Sequence, residues 1–304
     1  MRVLVLGFLI PALSLSLLLE GHAQDIVILK SADIAAYNKA TLTFTKQLPP
    51  STTISEFNLE GNMAEGRKIA RKLRASNAKL ILAIGLKAAL AAKLEILDIP
   101  VIFCMVLHPN KYSLPSQNMT GIGLTIPLSR QLKTFQTIVP TLKIIGVVFD
   151  PTKSGDLIPQ ARLQAKKHGL TLIARSVTSE REVPDTLRAI TKSIDALWLF
   201  PDSTVLNSES LEFLLSTTLE RNIPLFGFSS GLVRSGALAS VYIKYEDVGR
   251  QAADLAIQLL KGTTIPTQIV VPVENVRLSL NLKTAEFLNL HLSPQVLGQA
   301  DETF

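Results

Sequence analysis

Carboxylates and hydroxyls that directly follow an apolar strand are well placed to hold a polar ligand, and this chain has several such places. Asp195 to Thr204 reads DALWLFPDST: Ala196 to Phe200 is apolar enough for a strand buried on both faces, and Asp202, Ser203 and Thr204 follow Pro201 at once. Ile223 to Ser230 reads IPLFGFSS, so Ser229 and Ser230 follow a second apolar run. Earlier, LILAIG ends on Gly85, and IPVIFCMVL leads into His108 and Pro109. In parallel α/β sheets ligands collect at the carboxyl ends of the strands, where loops feed helix N-termini with free N–H groups. Tyr37, beyond the first strand, can reach the same region as a polar-tipped ring. The candidate ligand contacts are thus Tyr37, Gly85, His108, Asp202, Ser203, Ser229 and Ser230.

Each has a plainer use. Asp202 to Thr204 are strong helix caps, although Ser208 is an equally good cap and would free Asp202. Ser229 and Ser230 precede Gly231 and fit a turn. Arg234 has the fork to grip a carboxylate, but a surface or interlobe ion pair is the commoner use of such a residue. Trp198 is mid-strand and belongs to a core.

Other chemistry finds little support. The four histidines, His22, His108, His168 and His291, are too far apart for metal-ligand spacing. HExxH, CxxC, GxSxG and GxxxxGK[ST] are absent, and Gly121-Ile122-Gly123 continues Leu124-Thr125-Ile126, which is no dinucleotide fingerprint. No catalytic residue, metal or cofactor is expected. Cys104 is the only cysteine, so no intramolecular disulfide can form, and inside VIFCMV it reads as a small buried hydrophobe.

The elements that position these residues alternate. Strands are expected at Asp25–Lys30, Ser51–Asn58, Leu80–Gly85, Ile99–Val106, Lys143–Asp150, Leu170–Val177, Asp195–Phe200, Ile223–Phe228 and Ala237–Tyr242. Helices are expected at Ile34–Gln47, Met63–Ala75, Lys87–Leu97, Ser129–Ile138, Ile158–His168, Pro184–Ser193, Ser208–Arg221 and Asp247–Lys261. Alternation with fully apolar strands means parallel sheets covered on both faces. Two such series predict two doubly wound α/β lobes, joined near the Pro- and Gly-rich loop from His108 to Pro127.

The ends and the charge bound the setting. MRVLVLGFLIPALSLSLLLEGHAQ has one basic residue, an apolar run and the small-residue exit Gly21-His22-Ala23. That is the pattern of a cleaved signal peptide, with an uncleaved anchor as the rival; Pro11 and the exit favour cleavage. The location is then periplasmic or secreted. The formal charge is +6, but basic residues are spread along helical stretches such as RKIARKLR, without interleaved aromatics, which speaks against nucleic acid.

Taken in order, FNLEGNMAEGRKIARKL, LILAIGLKAALAAK, IPVIFCMVLHP, IDALWLFPDSTV, IPLFGFSSGLVRSGALAS, YEDVGRQAADLAIQLLKG and LSLNLKTAEFLNL resemble the ABC-transporter periplasmic substrate-binding family that includes tryptophan/tyrosine-type uptake proteins. The resemblance implies a type I periplasmic-binding-protein fold: two α/β lobes joined by three hinge crossovers around a small molecule. It implies residues 24–121 plus 244–270 as lobe 1, 122–243 plus 271–292 as lobe 2, and 293–304 as a C-terminal tail. It further implies a monomer that serves a membrane permease and an ATPase. By this resemblance Pro201 to Ser203 is a cleft-facing acidic turn, and Gly85 is the glycine of a turn in which Leu86 replaces the usual Thr or Ser. Val241 to Lys244 departs from the family's serine-proline-aspartate pattern. The expected function is capture of a small polar or amphipathic molecule, an amino acid first, between closing lobes. A ligand-binding sensor subunit and a secreted α/β enzyme with an unrecognised cleft site are the alternatives.

Overall fold

A computed structural model of the chain describes residues 25–263, 267 and 269–304. The expected signal segment, residues 1–23, lies outside these, as does the side chain of Ser208.

In chain order the first half reads β1 (Asp25–Lys30), α1 (Ala35–Gln47), β2 (Thr53–Asn58), α2 (Met63–Leu73), β3 (Leu80–Ile84), α3 (Leu86–Glu95), β4 (Val101–Val106) and β5 (Met119–Gly123). Then come α4 (Leu128–Ile138), β6 (Ile144–Phe149), α5 (Leu157–Lys167), β7 (Thr171–Ser176), α6 (Val183–Ile190), β8 (Ala196–Trp198), α7 (Ser208–Glu220), β9 (Leu225–Gly227), α8 (Ser230–Arg234) and β10 (Ala239–Tyr242). The chain closes with α9 (Tyr245–Leu260), β11 (Val270–Val271), β12 (Arg277–Leu280), α10 (Leu282–Phe287), α11 (Pro294–Gln299) and β13 (Glu302–Thr303).

The strands build two sheets. The first, ordered β11-β5-β4-β3-β1-β2, is parallel throughout. The second, ordered β13-β12-β10-β9-β8-β6-β7, is parallel except where β12 runs antiparallel to β10. β3 and β4 are buried at every position, as strands covered on both faces must be. Ala88, Ala89, Ala91 and Ala92 give α3 a small-residue side that lies fully buried on one face of the first sheet. On the opposite face α9 meets α1 so closely that a Cβ on Gly249 would stand 2.1 Å from the Ala40 carbonyl oxygen. The second core centres on Trp198, Phe135 and Phe226, with the Phe135 and Phe226 rings stacked at 4.0 Å. Among the described residues no helix is long and apolar enough to cross a membrane.

Three passages of chain join the sheets: 124–127, 243–244 and 272–276. At the last, the Arg277 guanidinium donates to the Asp247 carboxylate of α9 at 2.8 and 3.1 Å and to Asp301 at 2.7 Å. Asp247 is only 4% exposed, so the carboxylate of this tie between the lobes is buried, while Arg277 keeps part of its contact with water.

The structure departs from expectation in the joins and at the C-terminus. The loop from His108 to Pro127 contains β5, which runs through the expected lobe boundary at 121/122; the first passage begins after Gly123. Gly121 permits this strand because a Cβ there would lie 2.1 Å from the Phe103 ring. Val271 and Val273 stay with the first lobe, Val271 by pairing with β5 and Val273 by packing in its core. Residues 293–304, expected as a C-terminal tail, carry structure of their own: Ser293 caps α11, and β13 pairs with β12.

Candidate functional site

In the first lobe three strand ends converge. The Gly85 N–H donates to the Cys104 carbonyl at 2.9 Å, and the Ser31 N–H donates to the Ile84 carbonyl at 2.9 Å. The Ser31 hydroxyl accepts from the Ala88 N–H at 2.9 Å, which satisfies one of the free donors of α3. Gly85 itself has φ +86°, and a Cβ there would lie 2.6 Å from the Tyr37 hydroxyl oxygen and 2.7 Å from Ser31 Oγ. The glycine therefore lets the Tyr37 ring lie against the start of α3. Tyr37 is half-buried, and its hydroxyl hydrogen-bonds to no other described residue. Burial, then proximity to Cys104, raises its pKa, so the hydroxyl keeps its proton. Burial also pushes the Cys104 thiol up to about 12, which makes it inert.

His108 follows β4 in a left-handed conformation, φ 49° and ψ 54°, and precedes a short 3-10 turn at Pro109–Tyr112. Within that turn the Lys111 ammonium meets the Asp156 carboxylate at 2.7 Å. Asp156 immediately precedes α5 in the second lobe. Lys111 holds the Asp156 carboxyl below its usual range, and nearby His108 adds to the effect. This ion pair spans the two lobes and sets the carboxyl end of β4 beside that of β6.

In the second lobe Asp202 turns inward. It is 2% exposed. Oδ2 accepts from the Asp150 N–H at 2.8 Å and from the Ser154 hydroxyl at 2.5 Å. Oδ1 accepts from the N–H groups of Thr204 at 3.0 Å and Val205 at 3.3 Å. Four internal donors occupy the carboxylate, so Asp202, expected as a ligand contact, locks the β8 loop to the β6 loop. It does not cap α7. Asn207 and Ser210 do that reciprocally, with Asn207 Oδ1 accepting from the Ser210 N–H at 2.8 Å and Ser210 Oγ from the Asn207 N–H at 2.9 Å.

Asp150 mirrors Asp202. It accepts from the Thr204 hydroxyl at 2.6 Å and from the Thr152 N–H and hydroxyl, each at 2.8 Å. The Thr204 hydroxyl, then Thr152, lowers its pKa and so favours the ionised carboxylate. Position alone signalled this residue, since Asp150 ends IIGVVFD as Asp202 ends LWLFPD.

Ser203 is exposed, with no hydrogen bond to another described residue. Ser229 caps α8, its hydroxyl accepting from the Leu232 N–H at 3.4 Å, and Ser230 lies beside Glu302. The structure thus gathers Tyr37 and Gly85 with Ser31 on one side, and His108 at the rim. Ser203, Ser229 and Ser230 lie at the β8 and β9 ends on the other side. Arg234 is exposed and covers the Phe304 ring at 5.1 Å. Among the described residues no group of three or more His, Cys, Asp or Glu could hold a metal ion. Sequence reasoning missed Ser31, Lys111 and Asp156; no local motif marks them.

The arrangement is that of two walls able to grip a small molecule by hydrogen bonds. A tyrosine-binding protein of Clostridioides difficile (strain R20291) is 27% identical over 241 residues, 77% of this chain and 69% of the relative. The ligand-free, open structure of a substrate binding protein with adhesive properties from Clostridium difficile superposes with a TM-score of 0.81. It shares 22% identity and covers 92% of this chain and 99% of that one. An ABC domain from Streptococcus pneumonia in complex with L-Trp gives a TM-score of 0.65 at 23% identity, covering 93% of this chain and all of that chain (100%). The fold is that of the type I periplasmic binding proteins. The family model described as ABC transporter substrate binding protein matches residues 52–304, and the chain belongs to that family.

Proposed function

We propose that this substrate-binding protein captures an amino acid with an aromatic side chain between its lobes and presents it, outside the cytoplasm, to an ABC permease and its ATPase. The Lys111–Asp156 pair carries the reading: at 2.7 Å it sets strand ends of the two sheets against each other, the place where α/β proteins hold ligands. The half-buried Tyr37 ring beside Gly85 offers an apolar surface with a polar tip. The start of α3, at Leu86 and Lys87, offers backbone N–H groups and a positive dipole end to a carboxylate. Leu86, in place of a hydroxyl residue, favours an apolar portion on the ligand. The name of the 27% identical relative, a tyrosine-binding protein, supports the aromatic class.

Ligand contact is assigned to Tyr37, Gly85, His108, Ser203, Ser229 and Ser230, with Ser31 added. The two lobes are the working units, and the N-terminal segment serves export. A thermal-shift series with L-tyrosine, L-tryptophan, L-leucine, glucose and adenosine tests the reading. A ligand at 100 times its Kd stabilises the protein by about 2.7 kcal/mol. A response to the aromatic amino acids, with the ligand recovered unchanged, is expected; a response to glucose or adenosine alone overturns it.

A further inference from the structure

A cavity of about 200 Å³ opens on the second lobe, and none of the residues assigned to the amino-acid ligand lines it. Its walls come from α4, β10, β12 and α11, with Asp301 beside them. They stand where the three passages enter the lobe. Arg130 follows the first passage, Val241 precedes the second, and Val276 ends the third.

The charged residues on the wall are Arg130, Arg277 and Asp301, two guanidinium groups against one carboxylate. Asp301 is engaged internally: Oδ1 accepts from Arg277 at 2.7 Å and Oδ2 from the Leu278 N–H at 2.8 Å. Arg277 gives Nε and one hydrogen from each Nη to Asp247 and Asp301. The second hydrogen on each Nη remains, on a partly exposed side chain. Behind the wall the buried Asp247 is shared with Arg250 at 3.0 Å, so three guanidinium groups in all face two carboxylates.

The surplus charge is that of Arg130. Its guanidinium makes no hydrogen bond or ion pair with another described residue, and α4 contains no Asp or Glu to offset it. The Gln299 side-chain amide is likewise without a partner among the described residues. Thr134 donates its hydroxyl proton to the Arg130 carbonyl at 2.9 Å. Donors on the wall therefore exceed acceptors, and an occupant rich in acceptors and negatively charged would complete them.

We propose that this cavity is a binding site for a small oxyanion, a carboxylate or inorganic phosphate, held between Arg130 and Arg277 with the Gln299 amide donating to it. Guanidinium forks match the paired oxygens of such anions, and these charge-assisted bonds are the strong ones. The site shares no residue with the proposed amino-acid site, and its test uses no amino acid, so the two readings stand or fall separately.

The experiment melts the ligand-free protein in sodium phosphate, acetate or succinate against sodium chloride of equal ionic strength. The wild type is expected to gain stability from phosphate or from a carboxylate over chloride, and the salt that acts identifies the source. Arg130→Gln, at an exposed position, should keep the melt in chloride and weaken the anion's affinity by about tenfold or more. Arg162→Gln removes the same charge from an exposed position of α5 that does not line the cavity, and should leave the affinity at the wild-type value. No gain over chloride from any of the three salts overturns the site. So does an equal loss in both variants, which would mean diffuse surface charge, or no loss in Arg130→Gln. Amide resonances of the wild type give a readout that needs no variant: those of Arg130, Thr134, Leu278 and Gln299 should move with the anion, and shifts confined to other residues overturn the assignment.

Discussion

The backbone N–H of Asp150 donates to the carboxylate of Asp202 at 2.8 Å, which joins two strand-end loops 52 positions apart in sequence. Asp202→Ala would strand that N–H, the Ser154 hydroxyl and the N–H groups of Thr204 and Val205 in a buried place. The expected loss is about 2–4 kcal/mol, since unsatisfied buried groups cost about 1–3 kcal/mol each and some relax towards water. Urea unfolding of the ligand-free protein measures it. An unchanged midpoint together with lost ligand affinity would return Asp202 to the ligand contacts.

Lys111 and Asp156 should act as a rim latch. Both are substantially exposed, so the pair is worth only about 0.2–1 kcal/mol. Lys111→Glu is expected to weaken capture of L-tyrosine by about two- to fivefold, and adding Asp156→Lys restores it. Titration calorimetry at low and high salt reads the effect, which should shrink as salt screens the charges.

Gly85→Ala forces a methyl group into the Tyr37 hydroxyl and Ser31 Oγ, in a backbone conformation that L-residues rarely adopt. A stability loss of about 1–3 kcal/mol is expected, with displacement of the Tyr37 ring. Tyrosine fluorescence and ligand affinity should change together. A silent variant would place Tyr37 away from the ligand wall.

Acid should loosen the seam between α2 and α3. Arg71 first, and Arg67 with it, hold the Glu95 carboxyl at about 2, against an ordinary 4.5. Because the folded value is the lower one, this stabilisation is fully present above the ordinary value and is lost as pH falls towards 2. Melting temperature followed between about pH 6 and pH 2 should fall more steeply in the wild type than in Glu95→Gln.

The thiol of Cys104, buried and pushed up to about 12, should resist iodoacetamide at neutral pH and react fully in guanidinium. Mass spectrometry reads the difference. Labelling of the folded protein would show that the end of β4 opens.

What the sequence made legible follows from where the information resides. LILAI and VIFCMV are apolar at every position, and only a doubly covered strand uses such a run, so the parallel core could be read directly. MTGIG read as loop because glycine weakens strands; its pairing with β4 and β11 and the Phe103 ring over Gly121 make it one. β12 and β13 are short and gain their identity from each other and from β10. Asp202 could be placed at a strand end, but its direction depended on Asp150 and Ser154, some 50 positions away. The helix after it offered Ser208 as a cap, but Asn207 takes that place, because Ser210 closes a reciprocal pair with it.

The connectivity has a consequence for how the molecule comes apart. The first sheet takes its outer strand, β11, from residues 270–271, and the second takes β12 and β13 from residues beyond 276. Neither sheet is complete within one continuous stretch of chain, and α9 lies on the first sheet after the second has begun. The sheets are laced together like two halves of a shoe, so loosening one releases segments that hold the other. Unfolding is then a single cooperative event across both, and calorimetry has one peak to show.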